Sequence, residues 1–218
     1  MFIKSSIGKK IIMALSAIFL IIFLLQHFLI NITSVFSPNL FNHLSHFMGI
    51  NPLVQFILQP ILIFGIIVHF VLGFVLEYQN RLATNHKYSA FEGSANSSWS
   101  SRNMIWSGLV ILAFLILHFI DFWIPEMAFK YIEANKPVAN RYYDELVHKF
   151  ENPIRVILYC ISFILLAFHL NHGFTSAFKS LGVNTQYAKT IKTVGKAFSL
   201  FIPIGFCFIS IFHYVNSL

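Results

Sequence analysis

The chain has 218 residues, of which 57% are hydrophobic and only 11% charged, and it carries a formal net charge of +7. A soluble domain is less apolar and about one-quarter charged, so a water-soluble globular enzyme is excluded and an integral membrane protein is expected. The excess of positive charge is gathered into particular loops, where it sets orientation in a membrane, and it is not read as nucleic-acid binding.

Five stretches are long enough to cross about 30 Å of hydrocarbon at about 1.5 Å per residue: 11–30, 52–76, 104–124, 154–174 and 197–215. The expected fold is all-α, a single domain that is an integral membrane bundle of five transmembrane helices. The first stretch follows Lys4, Lys9 and Lys10 but has no small-residue cleavage site, so it is expected to stay as a span rather than be removed as a signal peptide. It ends in Gln26-His27. Residues 31–51 read as a polar outer loop in which Ser45-His46-Phe47-Met48 forms a short interfacial helix. Pro52 opens the second span, where its missing N–H costs nothing, and that span carries Gln55, Gln59, Pro60, His69 and Gly73.

Residues 77–103 form the first inner loop, with Gly93 to Ser98 expected to be irregular. The third span runs to His118, Asp121 and an interfacial Trp123. Residues 125–153 form the longest outer segment, with a surface helix predicted over 126–135. The fourth span ends in His169-Leu170-Asn171-His172-Gly173; a basic loop with Lys179, Lys189, Lys192 and Lys196 leads to the last span, which ends near His213. Cys160 and Cys207 fall within spans and form no metal-ligating spacing and no covalent haem attachment motif. No internal repeat, low-complexity tract or second domain is evident.

Cytoplasmic segments of membrane proteins are enriched in Lys and Arg. Lys4, Lys9, Lys10, Arg81, Lys87, Arg102, Lys179, Lys189, Lys192 and Lys196 fall on one side with only Glu77 and Glu92 as acids, whereas the opposite loops mix Lys130, Lys136, Arg141 and Lys149 with six acids. The N-terminus is therefore expected in the cytoplasm and the C-terminus outside.

Depth singles out four histidines. Counting from the span midpoints, His27 and His118 lie roughly 10 and 6 Å outward, and His69 and His169 about 7 Å inward. Two levels result, separated by about 15 Å. Ionisable residues inside a bilayer are costly and mark function by default, and two neutral imidazoles facing each other can ligate a haem iron from both sides. Gly73 and Gly173, each four residues after a histidine, leave room for the edge of a macrocycle. A single intramembrane histidine is more often a hydrogen-bonded packing residue, but one per span, alternating in depth with chain direction, favours ligation. His172, three residues from His169 on a similar face, competes with it. His43, His46, His86, His148 and His213 lie in loops or at a terminus and are expected to be solvated or interfacial.

These features resemble the five-helix, two-haem cytochrome b membrane anchor of succinate dehydrogenases and fumarate reductases (complex II). The resemblance is carried by Gln26-His27, Ser45-His46-Phe47-Met48, His69 with Gly73, His118, and Phe168-His169-Leu170-Asn171-His172-Gly173, and covers nearly the whole chain in span order. It implies two non-covalent b haems, an outer one on His27 and His118 and an inner one on His69 and His169. It also implies a flavoprotein subunit and an iron–sulfur subunit as partners, quinone (menaquinone by type) as substrate, and residence in a bacterial inner membrane. Dicarboxylate chemistry would take place on the flavoprotein. One departure is Ala167, where some fumarate-reducing members have a glutamate credited with proton movement, so that route is not expected here.

Lys179 can reach a haem propionate or simply mark the cytoplasmic side. Asp121, three residues after His118, is either a quinone-site proton carrier or a solvated acid at a helix end; His46 and Gln26 are further quinone-site candidates. Rival functions are a dihaem cytochrome b serving another quinone-linked dehydrogenase and a transporter with a histidine relay. The relay would need polar residues joining the two levels, where Ile, Leu, Phe and Val prevail.

Overall fold

Three helices in this chain end just before Pro38, Pro52 and Pro153, where a proline forces the preceding residue out of the helical region. The structure, a computed structural model, describes residues 5–83, 103–135, 137–183 and 185–218. Helix α1 (Ser6–Phe36) starts on Ser5, whose side chain accepts from the Gly8 N–H at 2.9 Å, and stops at the extended Ser37 before Pro38. Ser37 also caps α2 (Pro38–Ile50), accepting from the Leu40 N–H. Asn51 then precedes Pro52 in an extended conformation, and Asn152 does the same before Pro153, accepting from the N–H groups of Ile154 and Arg155. Proline thus sets the break, and the short polar residue before it satisfies the new helix's free N–H groups.

Helix α3 (Gln59–Ala83) is entered through a π-helical turn at Val54–Leu58, and α4 (Met104–His118) continues through a π-helical turn at Phe119–Trp123, Ile124–Met127 and a second such turn at Ala128–Ile132. The turns at Val54–Leu58 and Phe119–Trp123 immediately precede Pro60 and Pro125. A proline inside a helix clashes with the carbonyl four residues back, and a widened turn relieves that clash. Helices α5 (Tyr142–Phe150), α6 (Pro153–Ser180) and α7 (Ala188–Ser217) complete the chain. Five helices, Ser6–Phe36, Val54–Leu82, Met104–Ile132, Pro153–Ser180 and Ala188–Ser217, are long and apolar enough to cross a membrane.

Several expected loops are helical instead. The outer loop at 31–51 is the last turns of α1 plus the whole of α2, because no breaker precedes Pro38 and Pro52; His43 and His46 therefore lie on a helix. Residues 77–83, expected in the inner loop, are the end of α3, where Glu77 and Arg81 pair at 2.7 Å one turn apart. The surface helix predicted over 126–135 is the end of the third long helix. Lys189, Lys192 and Lys196 lie on the opening turns of α7. The expectations for Gly93 to Ser98, His86 and the charges of Lys4, Lys87, Glu92, Arg102 and Lys136 concern residues outside the described ones.

Helix α1 contacts α3, α6 and α7, and α6 contacts α1, α4 and α7. The buried core gathers Phe28, Phe41, Leu146, Phe150, Val156, Tyr159, Phe163, Ile202, Phe206 and Ile209 at one end of the bundle, which α2 and α5 close. Asn42 on α2 accepts from the Tyr143 N–H at 2.8 Å, tying the two short helices together. Gly205 on α7 lets the Phe28 ring lie against the backbone where any Cβ would collide with it.

Candidate functional site: two facing histidine pairs

His27 on α1 faces His118 at the end of α4, with ring centroids 5.7 Å apart and planes at 87°. Each ring is stacked on a phenylalanine one helical turn earlier in its own helix: Phe23 on His27 at 5.5 Å and 18°, and Phe114 on His118 at 5.8 Å and 28°. Phe206 lies beside His27 at 5.7 Å, and Phe122 and Tyr159 beside His118 at 5.2 and 6.4 Å. The polar surroundings are sparse. Asn31 brings its amide nitrogen to 3.5 Å from both His27 ring nitrogens while donating to the His27 carbonyl at 2.8 Å. His118 Nδ1 is buried without a hydrogen-bond partner among the described residues.

His69 on α3 faces His169 on α6, with centroids 6.3 Å apart and planes at 67°. Here each ring meets a serine on a neighbouring helix. Ser16 Oγ is 3.1 Å from His69 Nδ1 and Ser107 Oγ is 3.2 Å from His169 Nδ1. A Cβ on Gly73 would meet the Met13 methyl at 3.8 Å, and one on Gly173 the Met104 methyl at 3.4 Å. His172 does not share the pair; its Nε2 is 3.4 Å from Ser176 Oγ on its own helix.

The two halves of the site are built alike, a repeat that the sequence reading does not detect. Met13, Ser16, Phe23 and His27 recur at the same intervals as Met104, Ser107, Phe114 and His118, and His69 with Gly73 recurs as His169 with Gly173. In the structure the repeated residues make repeated contacts: serine to histidine, phenylalanine onto histidine, methionine methyl opposite glycine. Each ring pair takes one histidine from each half.

Two imidazoles bound through nitrogen to one metal from opposite sides, with metal–nitrogen bonds of about 2 Å, have centroids about 6 Å apart. Both pairs lie at that separation. Among the described residues no three His, Cys, Asp or Glu side chains converge as a zinc-type site requires. The donor set therefore fits a group that asks the protein for two axial imidazoles and brings its own equatorial ligands, as haem does.

The other residues singled out from the sequence occupy separate settings. Asp121 is buried, with 2% exposure, and is not a solvated acid. Its Oδ2 accepts from the Tyr159 hydroxyl at 2.8 Å, and its Oδ1 lies 3.3 Å from Arg155 Nη2. Gln26 is exposed and reaches Met48 Sδ at 3.5 Å. His46 stacks edgewise on Tyr142 at 6.2 Å, with its Nδ1 buried and unpartnered among the described residues. No hydrogen bond joins Asp121, Gln26 and His46. Lys179 is exposed in the last turn of α6. His213 is 1% exposed and 2.8 Å from Ser34 Oγ, which corrects its expected solvated place: α7 runs past it, and Tyr143 on α5 covers it. Ser16, Ser107, Asn31, Arg155 and Tyr159 are site neighbours that hydropathy does not reveal; the shared intervals to the histidines are the signal that marks the two serines.

Comparison of the chain with protein-family models, with curated proteins and with solved structures finds no match.

Proposed function

We propose that this chain is a dihaem cytochrome b, the membrane anchor of a succinate:quinone oxidoreductase of the succinate dehydrogenase or fumarate reductase type. The observation that carries the reading is the pair of facing histidine couples, each of metal-spanning width and each drawn from two different long helices. His27 and His118 would hold the outer haem, and His69 and His169 the inner one. Bound there, b haems supply reversible one-electron transfer, and the protein sets their potential through its axial ligands and burial.

The chain's own residues orient and insulate. Phe23 and Phe114 restrain the outer imidazoles by stacking, and the aromatic core keeps water from them. Asp121, buried three residues after His118 between the Tyr159 hydroxyl and the Arg155 guanidinium, is the candidate proton carrier for a quinone near the outer haem. Gln26 and His46 are further quinone contacts in this reading, menaquinone is the substrate type, and Lys179 would meet an inner propionate. The basic segments face the cytoplasm of a bacterial inner membrane, where an iron–sulfur subunit and a flavoprotein dock. Succinate or fumarate is handled on the flavoprotein, so this subunit serves the enzyme without touching the dicarboxylate.

The test is a dithionite-reduced minus oxidised spectrum of the detergent-purified protein with pyridine haemochrome quantitation. About two b haems per chain are expected, one of them lost in His69→Ala or His118→Ala, with flavoprotein and iron–sulfur subunits co-purifying from the native membrane. A folded, membrane-inserted preparation without haem would sink the proposal.

A further inference from the structure

A serine hydroxyl has one proton to give. In Ser16 it is directed to the Met13 carbonyl at 2.8 Å, and in Ser107 to the Met104 carbonyl at 2.9 Å. A carbonyl only accepts, so the hydroxyl oxygen that remains can only accept from the histidine beside it. His69 Nδ1 at 3.1 Å and His169 Nδ1 at 3.2 Å must then be the protonated nitrogens. Both serines are buried on helices that carry neither of these histidines, and both recur at the same place in the two halves of the chain.

We infer that Ser16 and Ser107 are positioning residues that lock His69 and His169 in the Nδ1–H tautomer, leaving Nε2 of each as the lone-pair donor to a bound metal. The assignment rests on the haem reading for its metal but not for its tautomer. An Nδ1–H given to an acceptor fixes ring orientation and makes the opposite nitrogen more basic, which favours the higher charge state of a bound iron. The His27–His118 pair has no such support: His118 Nδ1 has no partner among the described residues, and His27 faces the Asn31 amide nitrogen, a donor. The two pairs are thus built to hold electronically different sites.

The experiment has two readouts. In full-length protein labelled with 15N-histidine and prepared without haem, with His69→Gln and His169→Gln used for assignment, the shifts of His69 and His169 are expected to report Nδ1–H and bare Nε2. In the haem-loaded protein, Ser16→Ala and Ser107→Ala are expected to move the midpoint potential of the His69–His169 haem in the positive direction and leave the other haem unchanged, and Ser16→Thr and Ser107→Thr restore the parent value. Nε2–H tautomers in the parent chain would overturn the inference without any serine variant needing to fold, as would alanine variants that leave both potentials unmoved or shift them equally. A parent chain that binds no haem defeats the proposed function, while the 15N measurement still decides the role of the serines.

Discussion

Arg155, at the start of α6, reaches across to Asp121 beyond the end of α4 with 3.3 Å between Nη2 and Oδ1, and the two side chains differ sharply in exposure, 32% against 1%. The carboxylate has been taken out of solvent and the guanidinium only partly so. Removing the cation strands a buried charge, whereas neutralising the acid leaves a cation that can still find water. Arg155→Leu is expected to destabilise the detergent-solubilised protein by about 3 kcal/mol, the lower end for a broken buried pair because the arginine is partly solvated. Asp121→Asn should cost less, and the double variant should recover part of the Arg155→Leu loss. Thermal unfolding of the four proteins closes the cycle, and simple additivity would show that the pair is not coupled.

Gly205 is the second test. An added methyl on α7 would strike the Phe28 ring, which is itself held edge-on between Phe201 and Phe206 at 5.5 and 5.3 Å and has no free direction in which to yield. Gly205→Ala is expected to cost about 1–3 kcal/mol by overpacking. Phe28 follows His27, so the haem expected on His27 and His118 should be lost in preference to the other, as read from the reduced spectrum. A variant with parent stability and full haem content would contradict the packing described.

His213 offers a control for which histidines are structural. Ser34→Ala removes the hydroxyl 2.8 Å from its Nε2, leaving a buried imidazole without that partner, and is expected to lower stability by about 1–3 kcal/mol. Haem content per folded chain should be unchanged, in contrast to substitution of the four facing histidines. Loss of a haem in Ser34→Ala would show that His213 belongs to a site.

The alkaline limb of stability carries a fourth prediction. Burial first, and then the neighbouring Glu126 carboxylate, push the Tyr142 phenol up to about 12, against about 10 for free tyrosine. The folded chain therefore keeps a proton that the unfolded chain has released, so this contribution is full below pH 10 and fades as pH rises towards 12. Because the ring is partly exposed, it should amount to no more than about 1 kcal/mol. Melting curves between pH 9 and 11.5 should fall more steeply for the parent protein than for Tyr142→Phe; parallel slopes would remove Tyr142 from the account.

The sequence is most informative where a single physical quantity decides the outcome. Hydropathy over a bilayer's length locates all five long helices, and residue counting from their midpoints brings His27 to the level of His118 and His69 to that of His169, where the structure has the rings in contact. Helix ends are less legible. Polar residues such as Asn31, Glu77 and Lys192 look like loop composition, yet helical hydrogen bonding continues through them. Asp121 and His213 resemble interfacial residues in one dimension, and only the packing of α5, α6 and α7 shows them buried. The serines are hardest to find, because Ser16 and Ser107 barely alter the hydropathy of their runs and their partners lie on other helices.

The repeat of Met, Ser, Phe and His has a consequence for how the chain can be divided and assembled. Helices α1 and α3 carry one ring at each level, and α4 and α6 carry the other two, so neither half owns a complete couple. During synthesis no two-sided clamp can close until the third long helix brings His118 to His27, and the second couple waits for the fourth, which brings His169 to His69. A chain severed between Ala83 and Asn103 would yield two fragments that each carry one ring of either couple and complete both couples only when they meet.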